Sequence, residues 1–253
     1  MNRIKISPLA TRPFDESDCP SISIPGLATD SKPLFELDGQ TAPDLSDCCF
    51  FVPLHYEKNY SYPLVVWLHN NGEDAEQIQR IMPQLSLQNY VAIAPQAAVG
   101  NRHCGYYWEQ DQNSIDFAAD SVLAAIDNAR CRTQIASNRI FIAGCGAAGT
   151  MAYRVALTHP DLFAGVASIN GPLPEGDAPL GRWSSSRNIE VFWSHFRKSK
   201  EFEQNQLCRQ LKLLHVAGFS VTLRQYPGNG DNPAPAFPDL NRWIMQMIDS
   251  TVS

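Results

Sequence analysis

RIFIAGCGAAGTMA, residues 139–152, is the stretch whose reading decides the fold. Ile140, Phe141 and Ile142 are bulky and apolar, and the small residues Ala143 to Gly149 follow at once. Beyond them Met151, Ala152, Val155 and Ala156 fall into helical spacing. The stretch therefore predicts a buried strand that turns sharply into a helix, with glycines admitting a strained backbone and a close helix–strand approach.

The surrounding chain supplies partners for such a unit. Apolar runs predict strands over Cys48–Leu54, Pro63–His69, Tyr90–Pro95, Phe163–Ile169, Ile189–Trp193 and Ser220–Tyr226. Helical patterns occupy Asp74–Leu87, Ile115–Arg130, Glu201–Ala217 and Asp239–Ile248, and the His159-Pro160 pair ends the helix that follows the turn. Strands such as PLVVWLH (63–69) are apolar on both faces, which predicts an α/β architecture: a mostly parallel central sheet with helices on each side. Residues 1–45 are rich in Pro, Ser, Asp and Gly and read as an N-terminal extension wrapping the domain, with the potential to add an edge strand; residues 46–253 form the domain proper. Asn101–Asp111 reads as an aromatic loop, in which Tyr106, Tyr107 and Trp108 are candidates to line a pocket or to pack beneath the loop.

Composition narrows the function classes. A chain of 253 residues suits one large α/β core. A formal net charge of −6 disfavours a nucleic-acid or anionic-membrane partner, since the only basic cluster is Arg197, Lys198 and Lys200. Neither an 18-residue apolar run nor a signal-peptide pattern is found, so a soluble, unexported, cytoplasmic protein without a membrane span is expected. Seven scattered cysteines, Cys19, Cys48, Cys49, Cys104, Cys131, Cys145 and Cys208, fit a reducing compartment and form no metal-ligand spacing. No cofactor or metal is expected.

The 139–152 stretch resembles the phospholipase/carboxylesterase branch of the alpha/beta-hydrolase superfamily, whose nucleophile turn reads R-I-[FY]-L-x-G-F-S-x-G-G-x-M-A. The likeness continues through AYRVALTHPDLFAGVAS to Gly171 and Pro172, and covers roughly residues 46–248 by pattern. It implies the alpha/beta-hydrolase fold, a three-layer sandwich. It also implies where a Ser-Asp-His triad would sit, and there the chain departs. Gly144 and Gly149 keep their places, but Gly146 stands at the nucleophile position and Ala147 at the position whose backbone N–H would help bind an oxyanion. Where the branch has H-G-x-G, this chain has His69, Asn70, Asn71 and Gly72; Asn70 could adopt a left-handed backbone, with His69 hydrogen-bonded for structure. After the strand ending at Trp193 the branch has H-G-x-x-D, and Ser199 takes the acid's place, with Glu201 and Glu203 nearby. Beyond the last strand Asp231 occupies the histidine position of Y-P-x-G-G-H, and no histidine follows His215. Carboxylates of ordinary pKa, about 4, are too weak as bases to activate an alcohol at neutral pH.

Three substitutions in separate segments, each beside a preserved motif, point to a catalytically degenerate hydrolase scaffold that binds a small molecule or a protein partner. One alternative retains chemistry. Shifted by a residue, Ala143 to Ala147 reads A-G-C-G-A, and cysteine is the nucleophile in dienelactone hydrolase-like members of the superfamily, so Cys145 is the candidate nucleophile of an ester or thioester hydrolase. Its other reading is a small buried thiol where the branch has Phe.

Overall fold

The structure is a computed structural model that describes residues 48–175 and 189–250. The N-terminal extension of residues 1–45, Cys19, and most of the Pro/Gly/Ser-rich loop after Gly171 lie outside the described residues.

Seven strands form the central sheet: β1 (Cys48–Phe51), β2 (Tyr62–Leu68), β3 (Val91–Pro95), β6 (Ile135–Cys145), β7 (Gly165–Ile169), β8 (Glu190–Phe196) and β9 (Val221–Tyr226), with β4 (Val99–Asn101) and β5 (Gly105–Tyr107) set apart as a hairpin. The order across the sheet is β1-β3-β2-β6-β7-β8-β9, and every neighbouring pair is parallel except β1 with β3. Among the described residues five helices pack on it: α1 (Ile78–Leu85), α2 (Gln112–Arg132), α3 (Ala147–Thr158), α4 (Gln204–Ala217) and α5 (Phe237–Ser250).

Strand alternation divides the core in two. Leu64, Val66 and Leu68 of β2, Ile140 and Ile142 of β6, and Val191 and Trp193 of β8 join α2, α3 and α4 in one layer. Val65 and Trp67, Phe141 and Ala143, and Phe192 and Phe196 join α1 and α5 in the other. The doubly apolar strands thus follow from burial against helices on both faces. Among the described residues no helix is long and apolar enough to cross a membrane.

Four local readings change. The aromatic loop contains the β4–β5 hairpin, held in register by Val99 opposite Tyr107 and Asn101 opposite Gly105. Strand β8 runs on to Phe196, so His195 lies within the sheet instead of after it, because its pairing with β9 continues through His195–Gln225 and Phe196–Tyr226. The helix after Asp74 opens with a single 3₁₀ turn, Ala75–Gln77, which Asp74 caps by accepting from the Glu76 N–H at 3.0 Å. Asn70 does not take the left-handed conformation; among the described residues the non-glycine residues with positive φ are His55 and Asn170, and in the 69–72 loop Gly72 takes it instead, at φ 80°.

Strand β6 sits in the middle of the sheet, between β2 and β7, and delivers the chain to the turn at Gly146. The approach of α3 to this strand leaves no room for side chains: a Cβ on Gly144 would stand 2.6 Å from the Ala148 backbone carbon and 2.9 Å from its Cβ, and one on Gly149 would strike the Ser168 hydroxyl. Replacing Gly144 with Ala forces the backbone of α3 to shift, and is expected to lower unfolding free energy by about 1–3 kcal/mol, read from urea denaturation of both proteins.

Candidate functional site

At the C-terminal end of the sheet the loops after β2, β6, β7, β8 and β9 meet. Gly146 occupies the turn with φ 55° and ψ −124°, a conformation any side chain would strain to adopt. Its N–H donates to the Ile169 carbonyl at 2.9 Å, and its carbonyl accepts from the Thr150 N–H at 3.1 Å in the first turn of α3. A Cβ built there meets nothing within 4 Å, so the position faces open space.

That space is a cleft of about 640 Å3 whose lining includes Asn70, Asn71, Cys145, Gly146, Ala147, Asn170, Glu201 and Asp231. The fold thus brings together the 70–71 loop, the 145–147 turn and Asp231, which the sequence placed in separate segments. The backbone N–H groups of Asn71 and Ala147 have no protein acceptor among the described residues. Ser199 stands one hydrogen bond behind the cleft, its hydroxyl accepting from Asn170 Nδ2 at 3.0 Å and from the Phe202 N–H at 3.2 Å. Asp231 is exposed, and its carboxylate accepts from Asn229 Nδ2 at 2.5 Å.

Asn170 is a residue that the sequence reading passed over. It follows β7 with φ 57°, lines the cleft, and uses its whole amide: Oδ1 accepts from the Phe196 N–H at 3.2 Å while Nδ2 donates to Ser199. The signal that could have found it is an Asn-Gly pair at a strand end, the residue type that tolerates a left-handed backbone.

The 69–72 loop is tied down by buried polar groups. His69 is fully buried; Nδ1 donates to the Asn70 carbonyl at 2.9 Å and Nε2 accepts from the Ala97 N–H at 3.2 Å. Burial lowers its pKa, which keeps the imidazole neutral and consistent with that tautomer. Gln77 Oε1 accepts from both Trp67 Nε1 at 2.9 Å and the Asn70 N–H at 3.0 Å.

Trp108, buried to 3% exposure, donates through Nε1 to the His69 carbonyl at 2.8 Å, and its N–H donates to Asn71 Oδ1 at 3.0 Å. Trp108 thus braces the loop from beneath. Tyr106 lines a separate hollow beside Asp74 and Gln96, and Tyr107 is exposed with its hydroxyl on the Cys104 carbonyl. None of the three aromatics lines the cleft at Gly146.

All six histidines of the chain fall in described residues, and none lines the cleft. His55 and His103 are exposed, His159 caps the far end of α3, and His215 is exposed late in α4. His195 is buried, with Nε2 at 2.9 Å from the Phe202 carbonyl. Among the described residues no group of three or more His, Cys, Asp or Glu side chains could hold a metal ion.

No protein-family profile matches the chain. The candidate esterase NocK of Nocardia uniformis subsp. tsuyamanensis is 28% identical over 122 residues, 47% of this chain and 35% of that protein, so the match spans about a third of the relative's length. Among solved structures, SOBER1 of Arabidopsis thaliana is 20% identical with a TM-score of 0.62, over 74% of this chain and 100% of that one. The phospholipase/carboxylesterase of Dyadobacter fermentans gives 18% and 0.62 over 79% and 96%, and the carboxylesterase of Bacillus cereus gives 12% and 0.64 over 79% and 93%. The chain has the alpha/beta-hydrolase fold.

Cys145 is half-buried on the cleft wall and packs against the α1/α5 layer of the core. Burial pushes its thiol up to about 12. At neutral pH that leaves roughly a thousandth of the thiolate carried by a free cysteine, and the higher basicity of the thiolate recovers only part of the loss. With iodoacetamide at pH 7.5, the exposed Cys104, Cys131 and Cys208 should be alkylated first, and Cys145 roughly a hundredfold more slowly, resolved by peptide mass spectrometry.

Proposed function

We propose that the chain is a catalytically degenerate member of this fold whose former active-site cleft binds a small molecule without cleaving it. One observation carries this reading: every histidine is accounted for, and none lies at the cleft. Ester hydrolysis on this scaffold needs a group that takes a proton from the nucleophile and returns it to the leaving group. Gly146 offers no nucleophile, and Asp231 is a carboxylate without an imidazole to orient. What the cleft keeps is shape and backbone donors: the turn at Gly146, the braced 69–72 loop, and N–H groups on Asn71 and Ala147 that have no partner among the described residues.

Those groups suit recognition of a carbonyl or carboxylate oxygen. The six described cysteines are all free, which supports a reducing, cytoplasmic setting as part of the same reading. The alternative, an ester or thioester hydrolase using Cys145, draws on that residue's position in the cleft wall. It has against it a thiol pushed up to about 12 and no imidazole beside it.

Two measurements test the reading. The purified chain should release p-nitrophenol from p-nitrophenyl butyrate no faster than buffer, and a fluorophosphonate should leave its intact mass unchanged. Stoichiometric labelling that disappears in Cys145→Ala would establish the thiol enzyme and end the binding-only reading. A gain-of-function arm follows from the open space at Gly146: Gly146→Ser combined with Asp231→His and Ser199→Asp is expected to release p-nitrophenol measurably above the parent chain.

A further inference from the structure

A second hollow, of about 550 Å3, adjoins the cleft at Gly146 and Ala147 and runs along α3 to Arg154. Ala147, Thr150 and Arg154 are spaced i, i+3, i+7 and share one helix face, so about 10 Å of helix axis separates the turn from the arginine. Arg154 is half-buried and held from two sides: Nε donates to Gln110 Oε1 at 2.8 Å and Nη2 to the Glu175 carbonyl at 3.0 Å. Gln110 is itself fixed, donating through Nε2 to the Trp108 carbonyl at 3.1 Å and to the Ala147 carbonyl at 3.4 Å. The guanidinium is thereby aimed relative to the turn before any ligand arrives.

Among the described residues its charge has no counterpart within salt-bridge distance. Arg80, Arg130, Arg224 and Arg242 each have a carboxylate within 4.0 Å, and Arg154 has none among the described residues. Both of its acceptors are neutral, and three of its five N–H groups have no protein partner there. A tether to a carbonyl requires a donor but not a charge, and half-burying an uncompensated guanidinium costs free energy that a glutamine would not.

We propose that this groove takes a small organic carboxylate, with its anionic end on Arg154 and its uncharged end at the Gly146 turn. The inference rests on the reading of the cleft as a binding site and adds the chemical class of what it holds. A planar carboxylate matches the guanidinium fork. Glu175 and Glu201 are on the same rim, both exposed, and Glu175 Oε1 accepts from Gln206 Nε2 at 3.2 Å. These two carboxylates oppose a doubly charged phosphate more than a singly charged carboxylate, while solvent weakens their effect on the latter.

Monomethyl suberate carries a carboxylate and an ester carbonyl at a separation that fits the groove; dimethyl suberate is its neutral counterpart and monohexyl phosphate a dianionic one. Titrated into the full chain by isothermal calorimetry, monomethyl suberate should bind at least tenfold tighter than either. Arg154→Met should bring it to the affinity of the diester, and Arg154→Lys, which keeps the charge and loses the fork, should cost at least threefold. Thermal melts establish that each variant is folded, and the lysine variant decides the matter if the methionine one is not. Equal binding of the two esters, a preference that survives loss of the guanidinium, or tighter binding of the phosphate overturns the carboxylate assignment and leaves the cleft a binding site. Saturable binding by none of the three overturns the assignment together with the reading beneath it.

Discussion

The turn at Gly146 is the constraint on which the rest depends. A central parallel strand must reverse into a helix within one residue, at φ 55° and ψ −124°, while that helix packs directly onto the strand it left. Two requirements follow. The turn residue's backbone groups need partners, supplied by the Ile169 carbonyl and the Thr150 N–H. The contact surface also has to be free of side chains, which Gly144 and Gly149 provide. Neither requirement involves a reactive group, so backbone hydrogen bonds and packing hold the geometry of the turn.

The same separation of scaffold from chemistry appears in the loop after β2. Buried His69, Gln77 and Trp108, with half-buried Gln96, form a polar cluster in which His69 Nε2, Gln77 Oε1 and the His69 carbonyl all find donors. Leaving any of these unpaired inside the sheet would cost about 1–3 kcal/mol per group. The loop is therefore held by the stability of the fold, and its edge at half-buried Asn70 and exposed Asn71 remains shaped whether or not a substrate is turned over. Retention of the cleft is a consequence of folding, while the identity of the residues that face it is free to change.

Legibility in the sequence divides along that line. The order of strands and helices could be read because burial on both faces leaves an unmistakable apolar record in β2, β3 and β6, and because glycine is the residue a contact such as that between Gly144 and Ala148 permits. Short elements were less visible: the β4–β5 hairpin is largely exposed and has no apolar face to betray it. The end of β8 was misplaced because His195, a polar residue by composition, is buried by pairing and ring packing against Phe202. Gly146, Ser199 and Asp231 were legible as departures from the pattern the chain resembles, but their surroundings were not. Asn170 lies outside every motif, and only the assembled loops reveal its contacts.

Those contacts bear on how the site came to be self-consistent. In a triad, a carboxylate behind the cleft is tolerable because an imidazole accepts its orientation and shares its charge. Here the corresponding place holds a neutral chain: the Phe202 N–H and Asn170 Nδ2 both donate to the Ser199 hydroxyl, and Asn170 Oδ1 takes the Phe196 N–H. Every polar group named in that chain is satisfied without a proton carrier. A carboxylate at Ser199 would bring a half-buried charge to this place with no imidazole beside it. The Ser199–Asn170 corner is thus a neutral hydrogen-bonded arrangement, set beside the carboxylates of Glu201 and Asp231 that also line the cleft.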